Sequence, residues 1–409
     1  MTTTYLRIAV SCLGTLVAVG CGGTSGMAPT PPIGPACVAA STPEFAYTLG
    51  LFAGSTYGSD SYSVSMYTVD SCIGSLTPTT PAYVPTGISP PQLGAEEMVA
   101  DPLGRFAYVA NLVSNASDEA TISMYTINAS TGVLTPTTPA TVPTGFLPQE
   151  IAIDPLGRFV YTANSDDSSI SMFTINQTTG VLTPTTPASV STVVPGNILW
   201  DPNFLTVDPT GRFLYLTESL TNGAAVLMFT IDQTTGVLTP TSPATVTTGG
   251  WPWQVVVTPS DKFAYVVNNF TGSDGSFGVF QFTVNSTTGV LTPNNRAFVA
   301  SGNGPTEIAV DPTSKFAYVV NRQDNTVSMY TIDPNSGNLT LNASTANPMG
   351  TIPTGTQPFR ISFDPSGKFL YVVNEAGPAS IYTVNQDGTL NLVGETGSNS
   401  LAIAFAMPK

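Results

Sequence analysis

The pair Phe-x-Tyr returns seven times in this chain, opening at Phe45, Phe106, Phe159, Phe213, Phe263, Phe316 and Phe369. A chain of 409 residues would ordinarily suggest two or three domains. An internal repeat overrides that prior, because stacked units share one core. Residues 148–193 spell out one unit. Residues 151–153 are a short apolar run, read as an inner strand. Asp154-Pro155-Leu156-Gly157 follows, with Asp, Pro and Gly where a type I turn wants them. Residues 159–162 are aromatic and β-branched, as a strand prefers. A polar loop over 164–169 leads to residues 170–175, which alternate with a period of two. Residues 176–180 form a hairpin loop with Gly where φ must be positive. Residues 181–183 open a fourth strand broken by Pro, which a sheet tolerates only at its edge, so this strand is outermost.

The inner-strand signal recurs at Met98, Ile151, Leu205, Val255, Ile308 and Ile361, at spacings of 53, 54, 50, 53 and 53. The second, third and fourth strands each occur seven times, the inner strand before its partner only six. The first repeat lacks one, and residues 401–405 supply a spare apolar strand at the other end. The expected fold is all-β: a seven-bladed β-propeller over 44–409, four antiparallel strands per blade, closed by the C-terminal strand completing the first blade. A linear solenoid would not need complementary fragments at its two ends.

The formal charge of −15 disfavours nucleic acid, anionic membranes and anionic substrates. The sequence has no His, so the commonest general base and metal ligand are missing. Residues 8–19 are apolar, too short to span a bilayer but suited to a signal peptide. They run into Leu16-Val17-Ala18-Val19-Gly20-Cys21, which resembles a bacterial lipobox. The expectation is a lipoprotein signal over 1–20, lipidation at Cys21, and a Gly/Ser/Thr/Pro-rich tether over 21–43. The protein would then sit outside the cytoplasm, touching the membrane only through its anchor. An ordinary signal peptide with a chance Cys is the alternative. In that compartment Cys37 and Cys72 could form a disulfide tying the N-terminal arm to the first repeat, or remain two buried thiols.

Of eleven Lys and Arg, six occupy one repeat position just after the inner turn: Arg105, Arg158, Arg212, Lys262, Lys315 and Lys368. They read as structural, near the turn Asp residues. The Asn that ends most second strands (Asn111, Asn164, Asn268, Asn321 and Asn374) reads as a backbone-bonding loop starter rather than a ligand. Arg296, Arg322 and Arg360 are the basic residues outside the repeat pattern, apart from Arg7 and Lys409. The residue before each inner strand should ring one end of the central channel, in order Glu97, Glu150, Phe204, Gln254, Glu307, Arg360 and Ser400. The framework is near-identical between blades, whereas this position changes at nearly every blade, as a grafted site does. Loops carrying Asp118, Glu119, Asp166, Asp167, Asp274, Arg322, Asp324 and Glu375 reach the same face. A pocket of carboxylates and guanidinium groups could supply a general base and stabilise an oxyanion. Otherwise Glu307 and Arg360 form an ion pair between blades and the other Glu residues are solvated. Three Glu around a mouth could also hold a divalent cation, though no Asp-rich loop of defined spacing supports one.

Residues 355–375, GTQPFRISFDPSGKFLYVVNE, resemble the seven-bladed propeller lactonase family, which includes phosphogluconolactonases and the carboxymuconate cyclase. Pro358, Tyr371, Val372, Asn374 and Glu375 fit its motif, while Phe359-Arg360 stands where Arg-His is expected. The resemblance implies a lactone hydrolase without a cofactor, with Arg360, Glu375 and Glu307 as catalytic candidates. Arg322, Glu150, Glu97 and Gln254 would contact a lactone or sugar-derived ligand, in a monomer. The competing expectation is a non-catalytic surface propeller that binds a protein, glycan or cation.

Overall fold

The computed structural model describes residues 43–51, 62–86, 94–112, 120–194, 199–220, 223–271, 276–344, 347–399 and 402–406. Among them lie seven antiparallel sheets, six of them ordered from a central strand outward in chain sequence. The third blade shows the plan: Pro148–Ile153, Phe159–Asn164, Ser169–Ile175 and Leu182–Ser191. Its Pro-bearing strand is outermost, as a residue without an N–H requires. The first blade is completed by Ala402–Ala406, which pairs with Glu44–Leu51 from Phe45↔Ala406 to Leu49↔Ala402. The sixth blade departs from the repeat. Its outer strand is split into Leu339–Leu341 and Thr351–Pro353, both paired to Thr326–Ile332.

The repeat signature has a direct physical cause. The Phe of each Phe-x-Tyr lies under the hairpin Gly of the next blade: a Cβ on Gly180 would stand 2.5 Å from the Phe106 ring. The Tyr two residues on donates its hydroxyl to that glycine's carbonyl. The contacts are Tyr47 to Gly132, Tyr108 to Gly180, Tyr161 to Gly236, Tyr215 to Gly289, Tyr265 to Gly337 and Tyr318 to Gly388, at 2.8–2.9 Å. Tyr371 closes the ring by reaching Gly74 of the first blade at 2.6 Å. Each bond contributes about 1 kcal/mol, and each glycine is fixed both by positive φ and by the ring beneath it. Apolar clusters fill the space between neighbouring blades. Phe159, Tyr161 and Met172 of one, for example, meet Leu214, Leu216 and Leu227 of the next.

The turn cations are structural. Arg158 Nε donates to Asp154 at 2.8 Å while the guanidinium lies 4.9 Å from the Phe159 ring centre, and Arg105 does the same with Asp101 and Phe106. The Asn residues that end second strands bond locally, Asn164 to Ser169 and Ser171, Asn321 to Thr326 and Ser328. Cys72 is disulfide-bonded, whereas Cys21, Cys37 and the proposed signal and tether lie outside the described residues.

Candidate functional site

A proline places the site residues. Pro148-Gln149-Glu150, Pro202-Asn203-Phe204, Pro252-Trp253-Gln254 and Pro358-Phe359-Arg360 each lie in the first half of an inner strand, with a register shift between the Pro and the third residue. Pro305-Thr306-Glu307 shifts over the same stretch, and Ala95-Glu96-Glu97 does so without a Pro. Proline interrupts the ladder, the strand bulges, and the bulge re-aims the next side chain. The re-aimed residues line a cavity of about 180 Å3, walled by Glu97, Glu150, Phe204, Gln254, Glu307, Arg360, Ile361, Ser362 and Ile403. Six of the seven residues expected at the mouth are therefore together, and Ser400 lies outside the described residues.

Three carboxyl groups from three other blades converge on Arg360. Its nitrogens lie 2.7 Å from Glu97 Oε2, 2.8 Å from Glu307 Oε1 and 3.6 Å from Glu150 Oε2. The guanidinium stands where a cation would sit between these carboxylates. Among the described residues no cluster of three or more His, Cys, Asp or Glu is arranged to hold a metal ion. The guanidinium also packs on Phe359, 5.2 Å from its ring centre, and Phe359 meets Trp253 edge to face at 6.1 Å. Arg360 Nε–H has no protein acceptor among the described residues.

Two ring members clasp the following blade. Gln254 Oε1 accepts from the Ile308 N–H at 2.6 Å, and Glu307 Oε2 accepts from the Ile361 N–H at 2.7 Å. Their repeat position thus serves the framework as well as the cavity. Burial pushes Glu150 well above the usual carboxylate range. The charge of Glu97 adds to that push, Arg360 opposes it, and Glu307 adds again. Burial also works against the charge on Arg360, but Glu97, Glu307 and Glu150 outweigh it and hold the guanidinium above its ordinary value. The cluster therefore carries one fixed positive charge and one carboxyl that keeps its proton where ordinary glutamates have lost theirs.

Glu375 does not join this cluster. It pairs at 2.5 Å with Arg322, both side chains about one-third exposed. Glu375 follows Asn374 near the end of the strand Phe369–Ala376, and the Asn374 side chain donates to the Pro378 carbonyl and Ser380 Oγ. The expected Arg360–Glu375 partnership is replaced by two separate pairings. Arg322 is engaged by a carboxylate of its own protein rather than open to a substrate's. Sequence reasoning missed Trp253, whose only signal was Trp-Pro-Trp at the bulge.

A family model described as "Lactonase, 7-bladed beta-propeller" matches residues 60–200 and 252–401, well over half the chain. The chain belongs to the seven-bladed β-propeller lactonase family. A 6-phosphogluconolactonase of Serratia proteamaculans is 39% identical over 111 residues, 26% of this chain and 33% of that protein. One from Pectobacterium carotovorum is 34% identical over 115 residues, with the same shares. The chain thus matches about a third of the length of these curated relatives. Solved lactonase-fold structures match far more of it. A protein of Bacteroides uniformis aligns with a TM-score of 0.69 at 20% identity, covering 89% of this chain and 99% of that one. The periplasmic gluconolactonase of Pseudomonas aeruginosa aligns at 0.64 and 18%, with the same coverage. Likeness at that identity establishes the propeller architecture.

Proposed function

We propose that this lactonase-family propeller hydrolyses an uncharged lactone in the cavity at its channel mouth, with a Glu–Arg cluster in place of the His that the family motif leads one to expect. The observation that carries the reading is the convergence of Glu97, Glu150 and Glu307 on Arg360 inside a cavity that admits one small ring. Glu307, held by the Ile361 N–H, fixes Arg360. The guanidinium of Arg360, which lines the cavity, stabilises the charge that develops on the lactone carbonyl oxygen. Glu97 takes a proton from the attacking water. Glu150, whose pKa burial raises, is the proton donor to the ring oxygen as the acyl C–O bond breaks. The cluster is restored when the proton on Glu97 passes to Glu150, and the new carboxylic acid loses its own proton to bulk water.

Charge selects the substrate. Three carboxyl groups against one guanidinium repel a phosphate, and the other guanidinium near this face is paired with Glu375. The 6-phosphogluconolactonase named in the relatives acts on an anion that this mouth disfavours. The same repulsion expels the carboxylate product. We propose that the reaction takes place outside the cytoplasm on a Cys21-anchored protein, a reading supported by the apolar run and lipobox-like segment. Loss of lipid labelling in Cys21→Ser tests the anchor.

The decisive assay compares glucono-1,5-lactone with its 6-phosphate. Turnover of the uncharged lactone, weak turnover of the phosphate, and a kcat reduced about 10²–10⁴-fold in Glu150→Gln are expected. No turnover of either, or full activity in Glu150→Gln, would leave a binding propeller rather than an enzyme.

A further inference from the structure

Aromatic side chains gather on one part of the mouth. Phe204, Trp253 and Phe359, all half-buried, come from the fourth, fifth and seventh blades, with Gln254 and Glu307 of the fifth and sixth lining the cavity between them, whereas the second and third blades give Glu97 and Glu150. Trp253 and Phe359 come from the fifth and seventh blades and meet across the sixth, where the same position is the small Thr306. Their backbones are pinned: Thr217 Oγ1 donates to the Trp253 carbonyl at 3.1 Å, and Thr306 Oγ1 donates to that of Phe359 at 2.9 Å. Just outside lies Trp251, 60% exposed, three residues before the cavity-lining Gln254. Three residues of strand span about 10 Å. An indole this exposed presents a large apolar face to solvent.

We propose that Trp251, with Trp253 beside it, forms a second subsite that stacks an uncharged sugar ring attached to the lactone. The substrate class is thereby the lactone of a disaccharide or longer saccharide rather than of a single sugar. The proposal rests on the reading of the cavity as a lactone site. About 180 Å3 holds one ring and no more, so a second ring must project past the rim. The next surface outward on the aromatic flank is Trp251. Pyranose rings present C–H groups on a face and hydroxyls at the edge, which matches an indole below and the carboxyl and amide acceptors lining the cavity. The acidic mouth adds no cost for a neutral saccharide, whereas it would for a phosphorylated or uronic extension.

Two lactones and one saccharide test the subsite. With the mature protein, KM for cellobionolactone should be about tenfold below that for gluconolactone, the scale of one stacked ring. In Trp251→Ala that ratio should fall to about one, and Trp251→Phe should restore part of it. Trp251 is exposed, so its replacement does not threaten the fold. Equal KM values in the parent protein, or a ratio unchanged in Trp251→Ala, overturn the second subsite while leaving lactone hydrolysis intact. If neither lactone is turned over, quenching of tryptophan fluorescence by cellobiose is the remaining readout. Saturable quenching lost in Trp251→Ala upholds the subsite and removes the catalytic reading; no quenching removes both.

Discussion

Replacing Arg360 by Met tests the electrostatic reading of the mouth directly. The substitution keeps an apolar stem of similar length and removes the only positive charge facing Glu97, Glu150 and Glu307 in the cavity among the described residues. Breaking a buried ion pair by deleting one partner costs about 3–5 kcal/mol, because the remaining charge is left uncompensated. Here the remainder can escape by taking up protons, so the cost depends on pH. The folded variant holds protons that the unfolded chain releases in the ordinary glutamate range. Each extra proton retained removes about 1.4 kcal/mol of stability per pH unit of rise. Near pH 5 the loss should be about 1 kcal/mol, and near pH 8 it should reach the full 3–5 kcal/mol. For a propeller of about 370 residues, unfolding entropy is on the order of 0.8 kcal/mol per kelvin, so the alkaline loss appears as a Tm lower by about 5 °C. Calorimetry or circular dichroism at both pH values measures it. Adding Glu150→Gln should recover part of the loss, since one carboxyl then no longer needs a proton. An equal loss at pH 5 and pH 8, or none at either, would refute the coupling of these four residues.

The remaining predictions concern the framework. Glu44, buried at the seam between the first and seventh blades, is raised to about 7 by burial and by the charge and hydrogen bond of Asp364, with Lys368 pulling the other way. The folded chain therefore keeps a proton that the unfolded chain releases in the usual glutamate range, and the protein loses stability as pH rises through that window to about 7. Glu44→Gln should flatten this slope in urea denaturation, and an unaltered slope would assign it elsewhere. Tyr108→Phe removes the bond to the Gly180 carbonyl and should cost about 1–2 kcal/mol by the same measurement. Gly180→Ala, with φ +74° and a ring atom 2.5 Å from the new Cβ, should cost about 3 kcal/mol and more than Tyr108→Phe. A chain ending at residue 399 should elute as aggregate in size-exclusion chromatography, since it bares the inner edge of the first sheet.

Much of the architecture was legible because it is carried by local, repeated chemistry. Phe-x-Tyr and the hairpin Gly specify how each blade grips the next. The missing first inner strand and the spare apolar tail specify how the ring closes. The mouth residues were legible by register, since strand period and bulge are common to the blades. Which of them touch was not legible. Arg360 meets Glu97 and Glu150 from the second and third blades, and such meetings depend on channel width and side-chain reach rather than on sequence spacing. Glu375 was expected beside Arg360 because both lie near one end of adjacent strands. The bulge sends Arg360 inward, whereas Glu375, near the end of the strand Phe369–Ala376, pairs with Arg322. The sixth outer strand carried its repeat signal at Leu339-Thr340, but its split into two pieces did not show in the sequence.

Ribosomal order and closure order run in opposite directions in this molecule. The sheet whose strands emerge first is the last to be finished, because its central strand is made of residues 402–406. Through nearly the whole of synthesis, Glu44–Leu51 offers an open row of backbone donors and acceptors to whatever extended chain arrives. The cell must either shield that row or release the finished chain faster than a neighbouring copy can lend a strand. Production yield should therefore respond to chaperone supply and to expression temperature more steeply than the stability of the finished protein would suggest.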